Sequence, residues 1–160
     1  MRVFVQGMWH CGCVISACLS ELNHQVIGYD ENKLIIRRIK KNIPPLYEPG
    51  LKELIKKNVK KKNLSFTSSL KNINSTNVIW FAFDTPTNNK DLADTNYVLN
   101  RIKISLKKIK SNKNIIISSQ LPVGSIKFLE NFAKKILKKN FNFFYCPENL
   151  RVGNSIKSFL

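Results

Sequence analysis

No apolar run in this chain is long enough to cross a membrane. The longest, at 78–83, has the length of a β-strand, far below the roughly 18 residues that a bilayer span requires. The amino end lacks the apolar stretch and small-residue cleavage site of a secretory signal, since one arginine leads straight into a strand-like run. No membrane insertion is expected, and the cytoplasm is the expected compartment. Acidic residues are also scarce: 10 against 27 lysines and arginines give a net charge of +17. Such a surplus raises the question of nucleic acid. The lysine runs at 52–62, 103–113 and 134–139 alternate with apolar residues at helical spacing, so they read as wet faces of amphipathic helices. They hold few of the aromatics or arginines that stack on bases or grip guanine. Specific nucleic-acid binding is therefore not expected, although a positive surface attracts small phosphorylated ligands.

Cysteines number 4, too few for a disulfide scaffold and not paired as a zinc pattern. His10, Cys11 and Cys13 lack a nearby fourth ligand, so no metal is expected. The cysteines of the first helix read as small, soft packing residues.

What remains is a chain of 160 residues, 43% hydrophobic and 23% charged, which suits one globular domain with its own core. Strand-like runs at 2–6, 25–29, 64–67, 77–83, 114–118 and 142–146 alternate with helical patterns at 12–22, 31–41, 50–61, 95–110 and 124–139. Leu51, Leu54, Ile55 and Val59 predict one buried stripe, and Val98, Ile102, Ser105 and Ile109 another. Ile126, Leu129, Ala133 and Leu137 give a third, and Asp94 is a candidate N-cap. Alternation of this kind predicts βαβ units. The expected class is α/β, a Rossmann-like doubly wound, mostly parallel six-stranded sheet with helices on both faces. Runs such as "VIWFAF" and "NIIIS" are apolar at consecutive positions, as in strands buried on both sides.

Sheets of this class bind ligands beyond the carboxyl ends of their strands. After the first strand come Gly7, Trp9 and Gly12, against an ideal G-x-G-x-x-G that seats a pyrophosphate on a helix amino end. Asp30 closes the second strand. It can accept both ribose hydroxyls of an adenosine, which favours NAD over NADP, or it can cap the next helix. The turns "FDTPTNN", "SSQLPVGS" and "CPENLRVG" follow the fourth, fifth and sixth strands, each polar and marked by proline, and together they suggest a lined cleft.

The set G-x-x-x-x-G at 7–12, Asp30, "YEPGL" at 47–51, "DTP" at 84–86, "PVG" at 122–124 and "PENLR" at 147–151 resembles the NAD-binding domain of the UDP-glucose/GDP-mannose dehydrogenases over residues 1–160. The resemblance implies oxidation of the C6 hydroxyl of a nucleotide sugar to a carboxylate, for polysaccharide synthesis, with two NAD molecules in succession. It implies a cofactor seat of Gly7, Met8, Trp9, His10, Cys11 and Gly12, with Asp30 on the ribose and Asp84, Thr85, Pro86 and Ser119 along the cofactor. Glu148 is implied as the acid/base or water-orienting group, Gln120 stands beside it, and Leu150 and Arg151 approach the sugar nucleotide.

This chain departs from the family at four places. Trp9 stands for the second glycine, Gln120 for a threonine, Asn149 for an aromatic and Val152 for a glutamate. Two readings follow: a divergent branch in which cofactor binding survives, or a non-catalytic Rossmann-like module. The family's catalytic cysteine and its oxyanion-stabilising lysine fall beyond residue 160, and Cys146 is misplaced to replace that cysteine. The chain is therefore expected to be the first part of a longer protein, able to bind NAD without completing the oxidation. The resemblance also implies a homo-oligomer at full length.

Overall fold

The computed structural model describes residues 1–87 and 89–160; Asn88, within the "FDTPTNN" turn, lies outside them. Strand β1 (Arg2–Gln6) leads into α1 (His10–Glu21), then β2 (Gln25–Tyr29), α2 (Lys33–Lys40), α3 (Leu51–Lys60) and β3 (Leu64–Thr67). A short 3₁₀ helix (Leu70–Ser75) precedes β4 (Val78–Phe81), α4 (Thr95–Leu106), β5 (Lys113–Ile117), α5 (Ser125–Ile136), β6 (Phe141–Tyr145) and α6 (Ser155–Phe159). All six strands are parallel, in the order β3-β2-β1-β4-β5-β6. The chain direction across the sheet reverses between β1 and β4, so the crevice for a ligand opens there.

Successive strand residues feed opposite cores. Val3 and Val5 of β1, with Val78 of β4, pack under α1, α2 and α3. Phe4, Ile79, Phe81, Ile115 and Ile117 face α4 and α5 instead. This explains the unbroken apolar runs, since a parallel strand covered on both faces has no wet side.

Several expected boundaries and stripes shift for identifiable reasons. β4 ends at Phe81 rather than 83; the Ala82 N–H still donates to the Gln6 carbonyl at 2.8 Å, and the Ala82 carbonyl with Phe83 Cα forms the wall behind Gly7. Val59 is 45% exposed, and buried Asn58 takes the inward place on α3, donating to Glu21 Oε2 at 2.9 Å and to the Leu54 carbonyl at 3.0 Å. Lys113 is not part of a wet helix face. It opens β5, is buried, and donates to the carbonyls of Asn74 and Thr76. Val98, Ile102 and Ser105 of the expected stripe are buried on α4, and Ile109 is buried just past its end, since the helix stops at Leu106 rather than 110. Asp94 caps α4 by accepting from the Tyr97 N–H at 3.0 Å. Helix α6 had no counterpart in the sequence pattern. No helix among the described residues is long and apolar enough to cross a membrane.

Candidate functional site

The site is built outward from the turn between β1 and α1. Gly7 has φ +93°, and a methyl group there would come within 2.8 Å of the Ala82 carbonyl oxygen and Phe83 Cα. Only glycine meets both conditions. Gly12 serves close approach: a Cβ on it would lie 1.8 Å from the Gly7 carbonyl oxygen. Trp9 sits at φ −93° and ψ −148°, outside the positive-φ region that favours glycine, so the missing second glycine is chiefly a matter of space. Among the described residues no side chain caps the amino end of α1, and its first turn holds no acidic residue. Those N–H groups are the ordinary seat of an anion.

Met8 is buried, its sulfur reaching towards Gly28 and its N–H donating to Asp30 Oδ2 at 2.8 Å. It shapes the turn from inside and does not line either cavity described below. Asp30 does not cap α2. Asn32 caps α2, accepting from the N–H groups of Leu34 and Ile35, while Asp30 Oδ1 accepts from the Asn32 N–H at 2.8 Å. Each Asp30 oxygen thus has one protein donor and keeps acceptor capacity for a hydroxyl.

Two cavities adjoin at the switch point. The smaller, about 430 Å³, is lined by Gly7, Asp30, Asn32, Pro86, Tyr97 and Arg101 among others. Arg101 there pairs with Glu31 and lies over the Tyr97 ring, 4.5 Å from its centroid. The larger, about 710 Å³, gathers His10, Cys11, Thr85, Ser119, Gln120 and the 148–152 loop, including Glu148, Leu150 and Arg151. Trp9, Phe83 and Asp84 line both cavities, so the 43%-exposed Trp9 stands where the two meet. The polar turns after β1, β4, β5 and β6 therefore come together as one cleft, while Gly12 and Met8 support it from behind.

Within the larger cavity the Cys11 thiol donates to Glu148 Oε2 at 2.7 Å, and Glu148 Oε1 accepts from the Leu150 N–H. Burial pushes the Cys11 thiol pKa far up, helped by the hydrogen bond to Glu148 and the negative charges of Asp84 and Glu148, so it stays a protonated donor. Cys11 thus departs from the packing role expected of it, whereas Cys13 and Cys18 are fully buried among apolar neighbours. Desolvation by the cavity wall raises the Asp84 carboxyl above the usual range, a shift that His10 opposes and Glu148 reinforces. The Thr85 hydroxyl donates to the Gln120 carbonyl at 2.9 Å, fixing the β4 and β5 loops to one another. Ser119 Oγ is buried without a hydrogen-bond partner among the described residues. Tyr97 and Arg101, far along the chain from Asp30, carried no sequence signal as members of the smaller cavity.

A family model for the NAD-binding domain of the UDP-glucose/GDP-mannose dehydrogenase family matches residues 1–160. The chain belongs to the UDP-glucose/GDP-mannose dehydrogenase family. It is 32% identical over 158 residues to the UDP-glucose 6-dehydrogenase TuaD of Bacillus subtilis, covering 97% of this chain and 34% of that protein. Identity to the UDP-glucose 6-dehydrogenase of Pseudomonas aeruginosa is 27% over 165 residues, 99% of this chain and 36% of the relative. Among solved structures, a UDP-glucose dehydrogenase from the archaeon Pyrobaculum islandicum superposes with a TM-score of 0.88 at 26% identity, over 99% of this chain and 38% of that one. The GDP-mannose dehydrogenase of Pseudomonas aeruginosa gives 0.85 at 25%, over 99% and 38%. The chain spans about a third of the length of these curated relatives. The family match covers the whole six-stranded parallel domain, and NAD is the cofactor of that domain.

Proposed function

We propose that this chain seats NAD in a nucleotide-sugar 6-dehydrogenase that converts the C6 hydroxyl of a UDP- or GDP-sugar to a carboxylate. The observation that supports it most is the adjacency of two cavities that share Trp9, Phe83 and Asp84, one lined by Asp30 and the other by Glu148. The residues fit a dinucleotide. The uncapped amino end of α1 takes the pyrophosphate beside Gly7, and Asp30 takes the adenosine ribose. Asp84, Thr85, Pro86 and Ser119 would hold the other half of the cofactor. NAD, when bound, supplies the hydride acceptor.

Hydride leaves an alcohol carbon readily only as the hydroxyl proton is removed. Glu148 is the group in reach of that proton or of a water that relays it. Its carboxylate is held by two donors, Cys11 and the Leu150 N–H, which fix its direction while leaving lone pairs for the substrate side. Gln120 at the rim orients the sugar or water by its amide, and Arg151 with the Leu150 backbone meets the nucleotide's negative charge. The position of Trp9 at the junction of the cavities favours one second reading, a nucleotide-binding module without redox chemistry.

The test is to express the whole reading frame that contains this chain and follow NADH formation with UDP-glucose, GDP-mannose and a UDP-N-acetylhexosamine. Turnover of one of them, lost in Glu148→Gln while NAD still binds, is the expected result. NAD binding without turnover on any nucleotide sugar would favour the module.

A further inference from the structure

A buried polar network beside the larger cavity takes no part in the chemistry above. Its centre is Glu48, in the connection between α2 and α3, with a side chain only 1% exposed. Glu48 Oε2 lies 2.9 Å from His10 Nε2 and accepts from the Gly153 N–H at 2.8 Å. Glu48 Oε1 accepts from the Ser155 N–H at 2.8 Å. The Ser155 hydroxyl lies 3.3 Å from His10 Nε2 and donates to the Arg151 carbonyl at 2.7 Å. An ionised carboxylate only accepts, so His10 carries its proton on Nε2 and shares it between Glu48 and Ser155. Burial alone would raise the Glu48 carboxyl. The bonds from His10, Gly153 and Ser155 outweigh it and hold the group below the usual range.

The network joins two parts of the site that are far apart in the chain. At one end His10 is the first residue of α1, whose amino end borders the cavity between Trp9 and Cys11. At the other, Gly153 and Ser155 directly follow the loop that carries Glu148, Leu150 and Arg151. If this loop swings away, Glu48 loses two amide donors, and those donors or the carboxylate must find water elsewhere. A His10 side chain released from Glu48 is unpaired in the same way. The first turn of α1 and the 148–155 segment are therefore tied together by the Glu48 carboxylate, beside the separate Cys11–Glu148 bond.

We infer that His10 and Glu48 are positioning residues, a strut that couples occupancy of the turn at α1 to the order of the loop bearing Glu148 and Arg151. This rests on the reading that the turn seats NAD. An anion on the amino end of α1 steadies its first turn, hence His10, hence the grip of Glu48 on Gly153 and Ser155. By linkage, ordering the loop strengthens cofactor binding by the same factor.

Amide hydrogen exchange on the 160-residue chain, read at Gly153 and Ser155 against β1 and β4, tests the strut in two arms. Without ligand, His10→Phe should speed exchange at the two amides by about tenfold, as for a locally opened segment, and leave β1 and β4 unchanged. His10→Gln, which retains a donor, should restore most of the protection. Equal exchange in native chain and His10→Phe would overturn the strut. With saturating NAD, the native chain should slow at both amides by about fivefold or more, the lower end of ordinary coupling, and Glu48→Gln should lose most of that response. NAD that binds by calorimetry without slowing the two amides, or slows them equally in Glu48→Gln, would overturn the coupling. Failure of NAD to bind the native chain sinks the functional reading instead, and the ligand-free arm still decides the strut.

Discussion

Replacing Gly12 by alanine is the sharpest structural perturbation of the turn. On helix propensity alone it stabilises α1 by about 1 kcal/mol. The structure reverses that sign. The new methyl would stand 1.8 Å from the Gly7 carbonyl oxygen, so roughly 1.5 Å of separation must be found before even a tight contact is reached. Gly7 has no room to retreat, because the space behind its Cα ends at Ala82 O and Phe83 Cα. Either α1 slides along the sheet, disturbing fully buried Cys13, Val14 and Ala17, or the turn opens and Met8 leaves Asp30. Overpacking of this kind costs about 1–3 kcal/mol and more where the backbone is trapped, so about 2–4 kcal/mol net is expected. For a domain of this size that lowers the melting temperature by about 5–15 °C. Gly153→Ala is the control, with φ +92° but open space around it, and should cost only the left-handed strain of about 1 kcal/mol. Thermal melting by circular dichroism reads both. A Gly12→Ala chain that melts with the native protein or above it would refute the close approach of turn and helix.

Glu48 also sets an acid limit. Its folded-state pKa lies below the unfolded value of about 4.3, so the stability it confers is complete above that pH and is lost as pH falls through the folded value. Glu48→Gln should be less stable by about 2 kcal/mol at neutral pH and show a flatter acid limb in urea titrations; an unchanged acid limb would contradict this. Alkylation by iodoacetamide, mapped by mass spectrometry, should mark exposed Cys146 well before Cys11, whose thiol is kept protonated by burial and Glu148. Asn32→Ala, which removes the α2 cap, should cost about 1 kcal/mol in the same melts, without the larger loss of Gly12→Ala.

The sheet was legible because its signals are local. Apolar runs in β1, β4 and β5 bury both faces, and each is closed by a turn with its own chemistry. Gly7 and Gly12 were legible for the same reason, as a turn that only glycine can make. Asp94 as a cap needed nothing beyond its own helix. What escaped was set by distance along the chain. Asn58 rather than Val59 faces inward on α3 because Glu21 of α1 offers its carboxylate there, which no stripe along α3 records. Glu48 stood in a quoted motif, yet its partners lie at 10, 153 and 155, and no spacing links them. Cys11 reads as a packing residue within its helix and becomes a donor only when Glu148 is brought to it by β6. Trp9 is the instructive case: the motif demands glycine at its position, while the backbone there has a negative φ that does not call for glycine and leaves the question of room.

That question is settled most directly by calorimetric titration of the native chain with NAD, beside Asp30→Asn, Asp30→Ala and Trp9→Gly, each first shown by melting to be folded. A turn that seats the dinucleotide gives saturable binding in the native chain. Asp30→Ala should weaken it by about tenfold or more, the loss expected for hydrogen bonds to a charged acceptor, with Asp30→Asn between the two. Trp9→Gly should then change affinity only modestly. A native chain that binds no NAD, with binding gained in Trp9→Gly, would contradict the seat and show that the indole closes it.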